Sequence, residues 1–160
     1  MPLPRPAGKG KTEQINLDSA SSHILEECRM VLPGIQALFG FQMIAVFNQG
    51  FDERLSHPEQ LVHLVAIVLT VLAMALVMTP AALHRHAEPR VVSERFVWLA
   101  SKFVLAGMFP LALAVVLDAY LVASIIAKND VFGVLVAAAL LVVFAALWLF
   151  MPWRESRRQH

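Results

Sequence analysis

Two stretches of this chain leave little freedom of fold. Leu61 to Leu83 and Val131 to Met151 carry no acidic or basic side chain apart from His63, and each is long enough to cross a hydrocarbon layer of about 30 Å as a helix. Phe103 to Ala127 is a third such run, interrupted only by Asp118. Met30 to Phe47 spans about 27 Å at 1.5 Å per residue, enough if Arg29 and Asn48 sit at the two interfaces. With 58% hydrophobic and 16% charged residues, the chain lies outside the range of soluble domains. The expectation is an all-α integral membrane four-helix bundle, with spans at about 30–47, 61–83, 103–127 and 131–151.

Orientation follows from the basic residues. Of the 13 lysines and arginines, only Arg54 and Lys128 fall on the side of the first and third connections. The positive-inside bias therefore predicts cytoplasmic termini and a multi-pass protein of the cytoplasmic membrane. Trp98, Trp148 and Trp153 fall at the same boundary, as an interfacial aromatic belt would. Residues 1–22 read as a mobile cytoplasmic tail, 23–153 as the membrane domain and 154–160 as a short basic tail. A helix start is expected at Ser21 or Ser22, and Ser56 with Pro58 reads as the start of the second span. Val91 to Leu99 reads as an amphipathic surface turn leading into the third.

The stretch Glu26 to Phe47 is organised unlike a lipid-facing span. At 100° per residue Glu26, Arg29, Pro33, Gln36, Gly40, Met43 and Phe47 share one side, and Glu27, Gly34, Phe41 and Gln42 lie roughly opposite. An unpartnered amide in hydrocarbon costs several kcal/mol, so this helix is expected to be the packed centre of the bundle. Pro33-Gly34 predicts a kink, and Pro80 predicts a broken last turn in the second span whose freed carbonyl Thr79 bonds. In the third span Ala100, Gly107 and Ala114 recur at seven-residue spacing on the side of Asp118, which lets a neighbouring helix approach closely. The turn Ala127 to Asp130 makes the last two spans antiparallel neighbours, and the fourth, without polar side chains, reads as a lipid-facing brace.

Polar candidates form two groups. Asp118 is the acidic residue deep in a span; such carboxylates either mark a proton or cation pathway or serve packing alone. His63 lies at a similar depth, and reads as an interfacial histidine in water or as a partner for Asp118, its position near the span end favouring water. At the other boundary Glu26, Glu27 and Arg29 meet His84, Arg85 and His86, with Gln36 one to two turns deeper. These charges would serve as an ion-pair latch between helices or as the mouth of a cation path. His63 and His84 lie about 31 Å apart along one helix, which argues against a haem site. Cys28 is the lone cysteine, and no metal spacing, phosphate loop or activated nucleophile is present, so neither cofactor, metal nor enzymatic activity is expected, and no nucleic-acid partner.

Two blocks resemble a family of small bacterial four-span proteins of unknown function. They are Glu27-x-Arg29, Pro33-Gly34-x-Gln36-x-Leu38-x-Gly40-Phe41-Gln42 continuing to Phe47-Asn48, Phe51, Leu55 and His63, and Met78-Thr79-Pro80-Ala81-Ala82-x-His84-Arg85. The resemblance covers about residues 24 to 122. Some of its members carry a sodium/proton antiporter label, which implies movement of protons or monovalent cations. The polar residues that would line such a path are Glu26, Glu27, Arg29, Gln36, Gln42, His63, His84, Arg85 and Asp118, placed where apolar residues would cost less. No inverted repeat is visible, so a pathway would require a homo-oligomer in the bilayer. The rival expectation is a non-transporting scaffold that holds a partner; a third, a small-drug exporter, would need a buried glutamate in the first span.

Overall fold

The computed structural model describes residues 9–87 and 93–150, with side chains placed for 17–85 and 93–148. It is built of helices, with no strand among the described residues. Helix α1 runs Lys9–Val46, the short α2 Phe51–Arg54, α3 His57–Ala87, α4 Glu94–Ala127 and α5 Asp130–Ala145, the last continuing into one wider turn, Ala146–Phe150. Four segments are long and apolar enough to cross a membrane: Leu17–Val46, His57–Arg85, Glu94–Ala127 and Asp130–Trp148. The four spans expected from sequence are all present, each with at least one boundary moved.

The largest shift is at the start. Helix α1 begins at Lys9, not at Ser21 or Ser22, so residues 9–22 are helical where a tail was expected. The hydroxyls of Ser21 and Ser22 both donate to the Asp18 carbonyl at 2.9 Å, back-bonding inside the helix where a cap was expected. Residues 1–8, His86, Arg90, Trp153 and the basic tail 154–160 lie outside the described residues or side chains. Ser93 caps α4, its hydroxyl accepting from the Phe96 amide at 3.1 Å, and Phe96 is buried. Residues 94–99 are thus the first turns of α4, not a surface turn. Helix α3 starts as expected: the Ser56 amide and hydroxyl donate to the Glu59 carboxylate at 2.7 and 2.6 Å.

The core follows a seven-residue repeat. On α3 the buried positions are His63, Ala66, Thr70, Ala73, Val77 and Pro80; on α4 the repeat runs through buried Ala100, Gly107, Ala114 and Leu121, with Val97, Val104, Leu111 and Asp118 half-buried between them, while Phe96, Ala112, Val116 and Ser124 are buried outside it. Alternating steps of three and four are the signature of helices packed at a shallow left-handed angle. The expected small-residue face of α4 meets α3: a Cβ on Gly107 would lie 3.0 Å from Val77 Cγ2 and 3.3 Å from the Ala73 carbonyl oxygen. The opposite face of α4 receives α5, where Gly133 sits against Ser124 and Tyr120. Gly133 is the one buried residue of α5, and the rest of that helix is the apolar brace the sequence suggested.

Helix α4 is therefore the centre of a single chain, in contact with α1, α3 and α5. Helix α1 is not. It buries Ser21, Ile24, Cys28, Ile35 and Gln42 and leaves Met30, Phe41, Ile44 and Phe47 exposed. Gln36 is exposed too, so the face that carries it does not pack within the chain. Proline lies inside α1, α3 and α4, each of which continues past it. The Thr79 hydroxyl donates to the Ala75 carbonyl at 2.8 Å, one residue before the carbonyl that Pro80 frees.

Candidate functional site

The same repeat puts one polar residue from each of three helices at a single level. Gln42 is seven residues after Ile35 on α1, His63 seven before Thr70 on α3, and Asp118 seven after Leu111 on α4. The next layer inward is thus Ile35, Thr70 and Leu111, about 10 Å along the helix axes. In the polar layer, Gln42 Nε2 donates to Asp118 Oδ2 at 2.7 Å. His63 Nδ1 stands 3.5 Å from Asp118 Oδ1, and His63 Nε2 lies 3.0 Å from the Gln42 backbone carbonyl oxygen. Gln42 is 3% and His63 6% exposed. Both are sealed, so His63 is no interfacial histidine in water.

Hydrogen positions follow from this geometry. The Gln42 carbonyl can only accept, so His63 Nε2 carries a hydrogen and donates to it. His63 Nδ1 then faces Asp118 Oδ1, and a proton placed between them would join imidazole and carboxyl. At 3.5 Å the two atoms stand a few tenths of an ångström beyond direct transfer distance. Gln42 Oε1 is buried with no donor, so the site has more acceptors than hydrogens.

The connection between α1 and α3 folds over this layer. Phe51 of α2 packs on the His63 ring at 5.6 Å between centroids, and Leu55 is buried. Gln60 Nε2 donates to the Leu55 carbonyl at 3.1 Å and to Asp52 Oδ1 at 3.3 Å, which ties the loop down. Beneath the loop is a cavity of about 260 Å³ whose walls include Gln42, Phe51, Leu55, His63 and Asp118. Its remaining walls are apolar, from Leu38, Phe41 and Leu121 among others.

The second group of candidates is arranged otherwise. A separate cleft of about 470 Å³ between α1 and α3 has Arg29, His84 and Arg85 on its walls. Glu26 and Glu27 are exposed and do not line it. Among the described residues no ion pair joins Glu26 or Glu27 to His84 or Arg85, and the side chain of His86 lies outside them. Gln36 belongs to neither site. Among the described residues α1 has no buried glutamate, which leaves the drug-exporter expectation without its central group. No cluster of three or more metal-ligating side chains occurs among the described residues.

The family described as "Family of unknown function (DUF6328)" matches residues 10–152, well over half of the chain. The chain belongs to this family. No curated protein and no solved structure matches it. Its four helices long and apolar enough to cross a membrane fit a multi-pass membrane protein, with one cleft at the Arg29–Arg85 end and one cavity over Asp118.

The sequence offered His63 as a possible partner for Asp118, beside the favoured reading of a histidine in water, and singled out Gln42 apart from them. It did not join Gln42 to them, although the seven-residue spacing Ser21, Cys28, Ile35, Gln42 was available as a signal. The lid residues Phe51 and Leu55 were noticed only as members of a motif.

Proposed function

We propose that this protein is a proton-handling subunit of the cytoplasmic membrane, working as a homo-oligomer, with the His63–Asp118 pair as the group that takes up and releases the proton. The observation that carries the reading is the three-helix junction itself, in which a buried carboxylate is held by an imidazole and an amide within the span-forming segments. Buried carboxylates in such positions commonly belong to proton relays. A metal cation is a poorer fit, because it needs a shell of several oxygen ligands, whereas Gln42 Nε2 and the imidazole occupy the two carboxylate oxygens. On this reading the protein moves protons and transforms no substrate.

The test is full-length protein in liposomes loaded with a pH-sensitive dye. Imposed pH gradients should dissipate at a rate proportional to protein content, and Asp118→Asn should slow this at least tenfold while Glu53→Gln on the exposed loop leaves it unchanged. Absence of flux, or flux indifferent to Asp118→Asn, contradicts the proposal.

A second reading, a non-transporting scaffold, is favoured by the layer of Ile35, Thr70 and Leu111 between the two sites, in which Ile35 and Thr70 are fully buried. It predicts no flux at any protein content, together with a structural dependence on Asp118.

A further inference from the structure

The cleft between α1 and α3 at the arginine-bearing end has a composition unlike the cavity over Asp118. Leu25, Leu32, Val77 and Met78 give it an apolar floor, and Arg29 and Arg85 stand on its walls from the two facing helices. Both arginines are exposed, and among the described residues neither has an anionic partner. His84 adds a third nitrogen base, with Nδ1 buried and without a hydrogen-bond partner. The nearby carboxylates of Glu26 and Glu27 are exposed and are not on the walls, so the charged groups that an occupant would touch are Arg29 and Arg85.

Its position narrows the occupant. Val77 to Arg85 covers about 12 Å of α3, so the cleft begins where an arginine head would reach the headgroup region and ends inside the segment that crosses the bilayer. A soluble anion would meet the arginines but leave the apolar floor wet. A hydrocarbon chain would fill the floor and leave two cations uncompensated. A molecule with an anionic head joined to a chain satisfies both, and at about 470 Å³ the volume accommodates the head and the first carbons of a chain. We infer that this cleft binds an anionic phospholipid, its phosphate between Arg29 and Arg85 and the start of one acyl chain against Leu32, Val77 and Met78.

The inference does not depend on proton transfer at Asp118, and its test reads lipid, not flux. Full-length protein in phosphatidylcholine nanodiscs is titrated with phosphatidylglycerol, and retained lipid is counted by native mass spectrometry. Each of Arg29→Gln and Arg85→Gln should weaken retention about fivefold and the pair roughly 25-fold, the factors expected for single basic residues at an anionic headgroup. Arg54→Gln at the opposite end should change it less than twofold. Ala81→Phe keeps both arginines and fills the cleft from its α3 wall, and should weaken retention at least fivefold. Helical content by circular dichroism and monodisperse elution establish that each variant is folded. Retention unchanged in the double arginine variant, or unchanged by Ala81→Phe, overturns the inference. So does displacement of the lipid by millimolar inorganic phosphate, which would mean that the site recognises the free anion alone.

Discussion

Replacing Asp118 separates the two ways in which a buried carboxylate stabilises a helix bundle. Asp118→Leu removes the acceptor of the Gln42 amide hydrogen bond at 2.7 Å and the partner of His63 at 3.5 Å, leaving one buried donor and one buried ring nitrogen without a partner. Each orphaned group costs about 1–3 kcal/mol in a sealed site, whereas interhelical hydrogen bonds measured in membranes average about 0.6 kcal/mol, because the unfolded reference also finds partners. The expected loss is therefore about 2–3 kcal/mol. Asp118→Asn preserves the shape: its oxygen accepts from Gln42 Nε2 and its NH₂ donates to His63 Nδ1, so the loss should be about 1 kcal/mol or less. The triple variant Gln42→Leu, His63→Leu, Asp118→Leu leaves no orphaned side chain and should recover at least half of what Asp118→Leu loses. Reversible unfolding in mixed micelles by titration with a denaturing detergent, followed by circular dichroism, measures all three. An Asp118→Leu variant as stable as Asp118→Asn, or a triple variant worse than the single one by the full sum of its parts, would refute the account of the junction.

Two other amides and two glycines give sharper contrasts. Gln42→Leu should lower stability by about 1 kcal/mol, and Gln36→Leu should leave a monomer within about 0.5 kcal/mol of wild type, since Gln42 is buried and bonded while Gln36 is exposed. Gly133→Ala should cost about 1–3 kcal/mol in the same assay, because its Cβ would meet Ser124 Oγ and would lie 2.9 Å from the Tyr120 carbonyl oxygen. Gly34→Ala should be neutral or slightly stabilising, since no described atom lies within 4 Å of the added carbon outside the helix's own backbone. Ser93→Ala should cost about 1 kcal/mol through loss of the bond to the Phe96 amide, read as earlier fraying of α4 in hydrogen exchange.

Much of the fold was legible because bilayer thickness imposes length and apolarity directly on sequence. The four spans, the close approach at Gly107 and the antiparallel turn before α5 all follow from local rules. What was misread was which side of α1 faces inward. On α1 the polar stripe with Gln36 was conspicuous, and the buried stripe through Cys28, Ile35 and Gln42 was inconspicuous because its members are mostly apolar or small. The union of Gln42 with Asp118 spans 76 residues of sequence and becomes visible only when three helices share a register.

The most direct measurement is of His63 itself. In protein labelled with ¹⁵N-histidine and reconstituted in bilayers, solid-state NMR distinguishes the two ring nitrogens and their exchange with water. His63 is expected to carry a proton on Nε2 and to shift at Nδ1 in Asp118→Asn. A His63 ring with Nε2 unprotonated, or an Nδ1 signal indifferent to Asp118→Asn, would contradict the account.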